Sequence, residues 1–171
     1  VQEGVRVSRL KIQFLDFVSA EMARRHNSTS TIKQGVSSIS EIVQPEKVDV
    51  VELQRQLAEV KKYVHKRSEI ESLWIVPPLS SVSELRKYFS NKGDPIKGYD
   101  KCNMPFYQMA VKTDGTVLFH IRCFNYSIGN LNEQSVREVF FSDRAKYFRN
   151  QLIKAHYCFP ACTRCCGVTY G

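Results

Sequence analysis

"CFPACTRCCG", residues 158–167, places four cysteines within nine residues near the end of a chain that has six cysteines in all. Three chemistries use thiols at such density: disulfide bonds, a metal or iron–sulfur centre, and thiol catalysis. The rest of the chain separates them. Residues 1–101 contain no cysteine, and the other two stand at 102 and 123. A small secreted fold stapled by disulfides spreads its bridges because its core is inadequate. Here the apolar fraction is 43% of 171 residues, enough to bury an ordinary core, so the clustering suits one local site better. The pair Cys162–Cys165 has the C-x-x-C spacing that lets two sulfurs of one turn face the same ion. It follows a helical segment and not a strand-to-helix junction, which disfavours a thioredoxin-type redox motif.

The composition excludes several classes. No apolar run approaches the ~18 residues of a membrane span, and no signal-peptide pattern is present, so a cytoplasmic protein is expected. The net charge of +8 is compatible with nucleic acid, an acidic peptide or an anionic cofactor. No run of five basic residues sharpens that reading, and the aromatic residues stand at core-like positions, so neither nucleic acid nor membrane is expected as a partner. The chain begins at Val1, which is read as processing or as a piece of something longer.

Two regions precede the cysteines. "VRVSRLKIQFLDFV" (5–18) reads as a strand bending into a helix near "SAEMARRH" (19–26). "NSTSTIKQGVSSIS" (27–40) reads as an exposed loop. Asp49 is expected to cap a helix, with Glu52 in capping-box spacing and Val50, Leu53, Leu57, Val60 and Val64 on one apolar face. "SLWIVPP" (72–78) is a strand stopped by two prolines. Strand, helix, strand makes a βαβ crossover and a parallel pairing. One such unit cannot close a sheet, so residues 1–79 read as the tail of a larger α/β domain.

Residues 80–101 read as a short helix capped by Ser81 and Glu84, then a Gly/Pro linker. "PFYQMAVKTDGTVLFHIRCF" (105–124) reads as a hairpin about Asp114-Gly115. Alternation would place Val117, Phe119 and Ile121 on one face and Leu118, His120 and Arg122 on the other. "SIGNLNEQS" (127–135) reads as a turn; Ser135 with Glu138 caps a helix, and a further helix from Asp143 buries Ala145, Phe148, Leu152 and Ala155 until Pro160 ends it. The hairpin ends hold Cys102 and Cys123, and the last helix can return Cys162 and Cys165 to them. Four thiolates around one centre would suit zinc or an iron–sulfur cluster alike. Cys158, Cys166 and His120 are alternates.

"CNMPFYQMAVKTDGTV" (102–117), "RCFNYSIGNLNEQSVREVFFSDRAKYFRNQL" (122–152) and "FPACTRCC" (159–166) together resemble the SPASM or shorter twitch-type extension of radical SAM enzymes. The order of features matches over residues 102–166, and "WIVPPLSSVSELRKYF" (74–89) resembles the lead-in from the barrel. The fold implied is α/β followed by a small α+β domain. Residues 1–79 would be the last βα units of a partial TIM-like barrel, 80–101 a linker helix and loop, and 102–171 a cysteine-rich β-hairpin-and-helices auxiliary-cluster domain. The resemblance implies an auxiliary 4Fe-4S cluster on Cys102, Cys123, Cys162 and Cys165. One departure is that the family often has a cysteine five residues after the hairpin glycine, where His120 stands here.

The resemblance also implies a parent enzyme. Its missing N-terminal half would carry a second 4Fe-4S cluster on a C-x-x-x-C-x-x-C loop, cleave S-adenosylmethionine and abstract a substrate hydrogen. No such loop is read in this chain, which is therefore expected to be inactive by itself. The partners implied are that N-terminal half, a peptide or small-molecule substrate, and an external electron donor. The rival reading is a non-enzymatic zinc-binding interaction module with a basic surface.

Overall fold

The computed structural model of the protein describes residues 6–33, 40–41 and 44–169, with the side chains of 40, 41, 166 and 169 outside that description. β1 (Leu10–Gln13) pairs in parallel with β4 (Leu73–Val76), in the register Leu10 to Leu73 through Gln13 to Val76. β2 (Phe17–Val18) pairs in parallel with β3 (Ser40–Glu41), at the end of the stretch read as loop. Among the described residues these strands form two separate two-stranded sheets and not one continuous barrel wall.

The helices begin where their capping residues stand. Ser19 Oγ accepts from Met22 N and starts α1 (Ala20–Thr29), which reaches three residues into the expected loop. The same hydroxyl donates to Asn91 O at 2.7 Å. Asp49 accepts from Val51 N and Glu52 N at the start of α2 (Val50–His65). Glu52 does not close the expected box but receives Arg55 and Gln56. Val50, Leu57 and Val64 are buried on its apolar face, and α2 packs against α3 (Val82–Tyr88). In α3 the box is complete: Ser81 caps Glu84 N, and the Glu84 carboxylate accepts from Ser81 N. Such caps contribute about 1 kcal/mol each.

The second region is a three-stranded antiparallel sheet of β5 (Ala110–Val111), β6 (Thr116–Leu118) and β7 (Gly129–Asn130). Gly115, at φ +81°, makes the reversal, and Asp114 Oδ1 accepts from Thr116 N. Part of the stretch expected as a turn supplies the third strand, with Gly129 opposite Val117. The expected alternation stops early. Val117, Leu118 and Phe119 are all buried, whereas Ile121 is 61% exposed, because β6 ends at Leu118 and the chain turns. A complete Ser135–Glu138 box starts α4 (Val136–Phe140), and Ser142 caps α5 (Asp143–Lys154), which buries Ala145, Phe148 and Leu152.

Pro160 does not end α5. Tyr157 N donates to Leu152 O and His156 N to Ile153 O, the paired bonds of a Schellman motif, with His156 at φ +52° and Tyr157 at φ +65°. Two non-glycine residues in the left-handed region cost roughly 1–3 kcal/mol each. They reverse the chain five residues before the C-x-x-C begins.

One apolar core runs through all three expected segments. Phe14 and Phe17 meet Tyr88 and Phe89 with ring centroids 5.4–6.2 Å apart. Further along, Phe124 and Phe159 pack on His26, and Phe148 packs on both of those phenylalanines. Leu85, Tyr88, Phe89 and Ile96, from the expected linker segment, are buried in the same cluster.

Candidate metal centre

The chain reversal after α5 carries Cys158 back to the start of the hairpin segment. Cys102 N donates to Tyr157 O at 2.8 Å, so the two ends of the second region are fastened beside their cysteines. A short 3-10 turn (Pro160–Cys162) follows, with Cys162 N bonded to Phe159 O and Cys165 N to Cys162 O. α1 packs against this turn. A last helical turn, α6 (Cys166–Thr169), closes the segment.

Five cysteines are described, all half-buried: Cys102, Cys123, Cys158, Cys162 and Cys165. Cys158 and Cys162 are free thiols. Burial pushes the Cys162 thiol well above its ordinary range, and the thiols of Cys158, Cys123 and Cys102 push it further. Burial first, then Cys102 and Asp100, push Cys158 up to about 12, against an opposing pull from Arg164. Three thiols, those of Cys158, Cys123 and Cys102, therefore lie within electrostatic reach of Cys162, and Cys165 approaches Cys102 at Gly167. A Cβ at Gly167 would stand 3.0 Å from Cys102 Sγ and 3.8 Å from Cys165 Sγ. The glycine leaves room for two sulfurs to approach one backbone.

Among the described residues no three His, Cys, Asp or Glu side chains stand close enough to hold an ion as they are. The thiols are gathered without forming a closed cage. Cys166, an expected alternate, has its side chain outside the described residues.

His120 belongs to a different group. Its Nδ1 accepts from Arg122 N at 3.1 Å. Burial lowers its pKa, the Arg122 charge lowers it further and Asp16 opposes them. It thus lies within electrostatic reach of Asp16 and Arg122. Cys123 follows a turn in which its N–H donates to His120 O at 2.9 Å. The strand has already ended there, so strand parity does not decide where Cys123 points.

One expectation is corrected on the letters. Cys158, Cys162 and Cys165 do stand at C-x-x-x-C-x-x-C spacing. Their place sets them apart from the expected loop: they follow α5, behind the hairpin, and not ahead of the first strands.

Two contributors escaped the sequence reading. Arg164, between the C-x-x-C cysteines, is fully buried. Its Nε donates to Tyr88 O at 2.6 Å, Nη2 to Lys87 O at 2.9 Å, and Nη1 to Asp94 O and Thr163 O at 3.0 and 2.8 Å. The centre's loop is thereby locked to the end of α3. A charged residue inside C-x-x-C was the available signal, but nothing in the letters shows that it is buried. Gly167 had only its place after two cysteines to mark it.

Residues 102–166 match the family model of the SPASM iron–sulfur cluster-binding domain. No curated protein and no solved structure matches the chain. The match gives this segment an iron–sulfur cluster-binding role; residues before 102 lie outside it. No helix among the described residues is long and apolar enough to cross a membrane.

Proposed function

We propose that this chain is the C-terminal portion of a radical SAM enzyme and holds an auxiliary 4Fe-4S cluster on Cys102, Cys123, Cys162 and Cys165. The observation that carries this reading is the approach of the half-buried Cys102 and Cys165 thiols to one glycine, Gly167, at the end of the segment matched by the iron–sulfur domain model. Thiolate sulfur is the donor iron–sulfur clusters require. The space kept at Gly167 fits two such donors side by side. When bound, such a group would supply one-electron transfer, with a thiolate on each of its four irons. The chain's own part is to gather the thiols, shield them from water and release their protons as the cage closes.

Residues 1–79 are then the last βα units of a partial TIM-like barrel, joined through 80–101 to the cluster domain of residues 102–171. The parallel β1–β4 pairing is compatible with that role. The N-terminal half of the parent would supply S-adenosylmethionine cleavage and its own 4Fe-4S cluster. A peptide or small-molecule substrate and an electron donor complete the reaction, in the cytoplasm.

The test is anaerobic reconstitution of the chain with iron and sulfide. A brown protein with about four irons and four sulfides per chain is expected, from thiolate-to-iron charge transfer. A colourless protein that retains only zinc would favour the interaction module.

A second reading rests on the C-x-x-x-C-x-x-C spacing of Cys158, Cys162 and Cys165. Cys158, Cys162 and Cys165 would then hold a cluster with one open iron. Appearance of 5′-deoxyadenosine from S-adenosylmethionine with this chain alone would select that reading, and its absence from a loaded protein would select the first.

A further inference from the structure

Among the described residues no carboxylate lies within ion-pair distance of the buried Arg164 guanidinium, although the Asp94 charge acts on it from further away. Its acceptors are four neutral carbonyls, and the Tyr88 ring stands 4.9 Å from its Cζ. The carbonyls of Lys87 and Tyr88 end α3, where the helix dipole is negative and favours a cation. That solvates the charge without neutralising it. A cation so placed is costly, and the distant Asp94 charge offsets only part of that cost. Arg164 is covalently next to Cys165, two residues from Cys162, and within electrostatic reach of Cys158. Further counter-charge is available on the thiols once they are deprotonated and ligated.

We infer that Arg164 is a fixed, water-shielded positive charge that sets how readily the cysteine centre accepts an electron. The inference rests on the iron–sulfur reading above. Four thiolates outweigh the positive charge of the inorganic core, and reduction adds one electron more. A nearby cation favours that added charge, so it raises the reduction potential. A guanidinium keeps its proton throughout the accessible pH range, so this contribution does not titrate away. Arg164 acts through the thiolates and is a positioning and tuning residue.

The test uses the full chain reconstituted anaerobically with iron and sulfide, with its midpoint potential read by redox titration. R164M removes the charge and keeps much of the volume. At the wild-type midpoint, R164M is expected to show at least a tenfold lower reduced-to-oxidised ratio, a fall of about 59 mV for one electron. R164K keeps a positive charge at the same place and should retain a midpoint close to that of the wild type.

An R164M protein with wild-type iron content and an unchanged midpoint overturns the inference. If neither variant folds or assembles a cluster, Arg164 is structural only, which also overturns it. A wild-type chain that assembles no iron–sulfur cluster instead removes the premise, and both readings fail together.

Discussion

Arg122 Nη1 stands 3.1 Å from Asp16 Oδ2, tying the turn that carries Cys123 to the segment after the first strand. Asp16 is 8% exposed, its Oδ1 is buried with no partner, and Arg122 is half exposed. The pair joins residues 106 positions apart. Arg122→Ala leaves a buried carboxylate lacking this partner and is expected to cost about 1–3 kcal/mol. Adding Asp16→Asn to Arg122→Ala should recover part of the loss, because the uncompensated charge disappears. Urea denaturation at neutral pH measures both. A double variant no more stable than Arg122→Ala would show that the buried charge is not what costs.

His26 makes the fold sensitive to mild acid. It is fully buried, stacked on Phe124 at 4.8 Å, and its Nε2–H donates to Ile32 O. Burial lowers its pKa below the ordinary 6.5, Lys33 lowers it further, and the bond to Ile32 opposes them. Above about pH 6.5 the ring is neutral in both folded and unfolded chains, so stability does not depend on it. As pH falls below 6.5 the unfolded chain takes up the proton first, and stability declines until the folded pKa is passed. Between pH 7.5 and 5.0, the stability lost by His26→Gln should be smaller than that lost by wild type. An equal loss would place the acid sensitivity elsewhere, with His120 the next candidate because its pKa is also lowered.

Gly167 is expected to tolerate no side chain at a loaded centre. Gly167→Ala would place a Cβ 3.0 Å from Cys102 Sγ and 3.3 Å from Met104 Sδ. The expected result is reduced iron content with little change in the stability of the metal-free chain. Normal iron content in Gly167→Ala would mean that Cys102 approaches the centre from another side.

The ligand assignment predicts a pattern across variants. Cys162→Ser and Cys165→Ser should lose bound metal and local order together, because such sites contribute folding free energy. Cys123→Ser should behave likewise, and His120→Ala should keep the metal. Metal loss in His120→Ala with retention in Cys123→Ser would reverse the assignment of the second ligand.

Metal affinity should rise with pH. Burial raises the thiol pKa of Cys162, one of the proposed ligands, and ligation displaces its proton. With zinc as a probe between pH 6 and 8, affinity should rise about tenfold per pH unit for each proton released. A flat profile would mean that Cys162 does not bind the ion.

Local elements were legible because their causes are local. Ser81 with Glu84 and Ser135 with Glu138 are complete capping boxes in the letters and in space. Asp114-Gly115 makes its reversal, and the apolar spacing from Val50 to Val64 makes one helix face. Errors came where a distant partner chose the conformation. Gly129–Asn130 has turn composition but is a strand because it meets Thr116 and Val117. Pro160 looked like the end of α5, yet His156 ends it with a left-handed turn that no letter announces.

The sequence by itself determined that thiols, caps and apolar faces exist, and in what order, since covalent spacing and backbone propensity act over a few residues. The motif order over 102–166 made the iron–sulfur domain legible before any coordinate. Only the tertiary structure decided who meets whom. It gathered Cys158 with Cys102 and Cys162, and it brought His120 within electrostatic reach of Asp16 and Arg122. It also buried Arg164 against the carbonyls that end α3, 76 and 77 residues away in the chain. Such contacts depend on long-range burial, whose free energy follows the surface removed from water and not the distance along the chain.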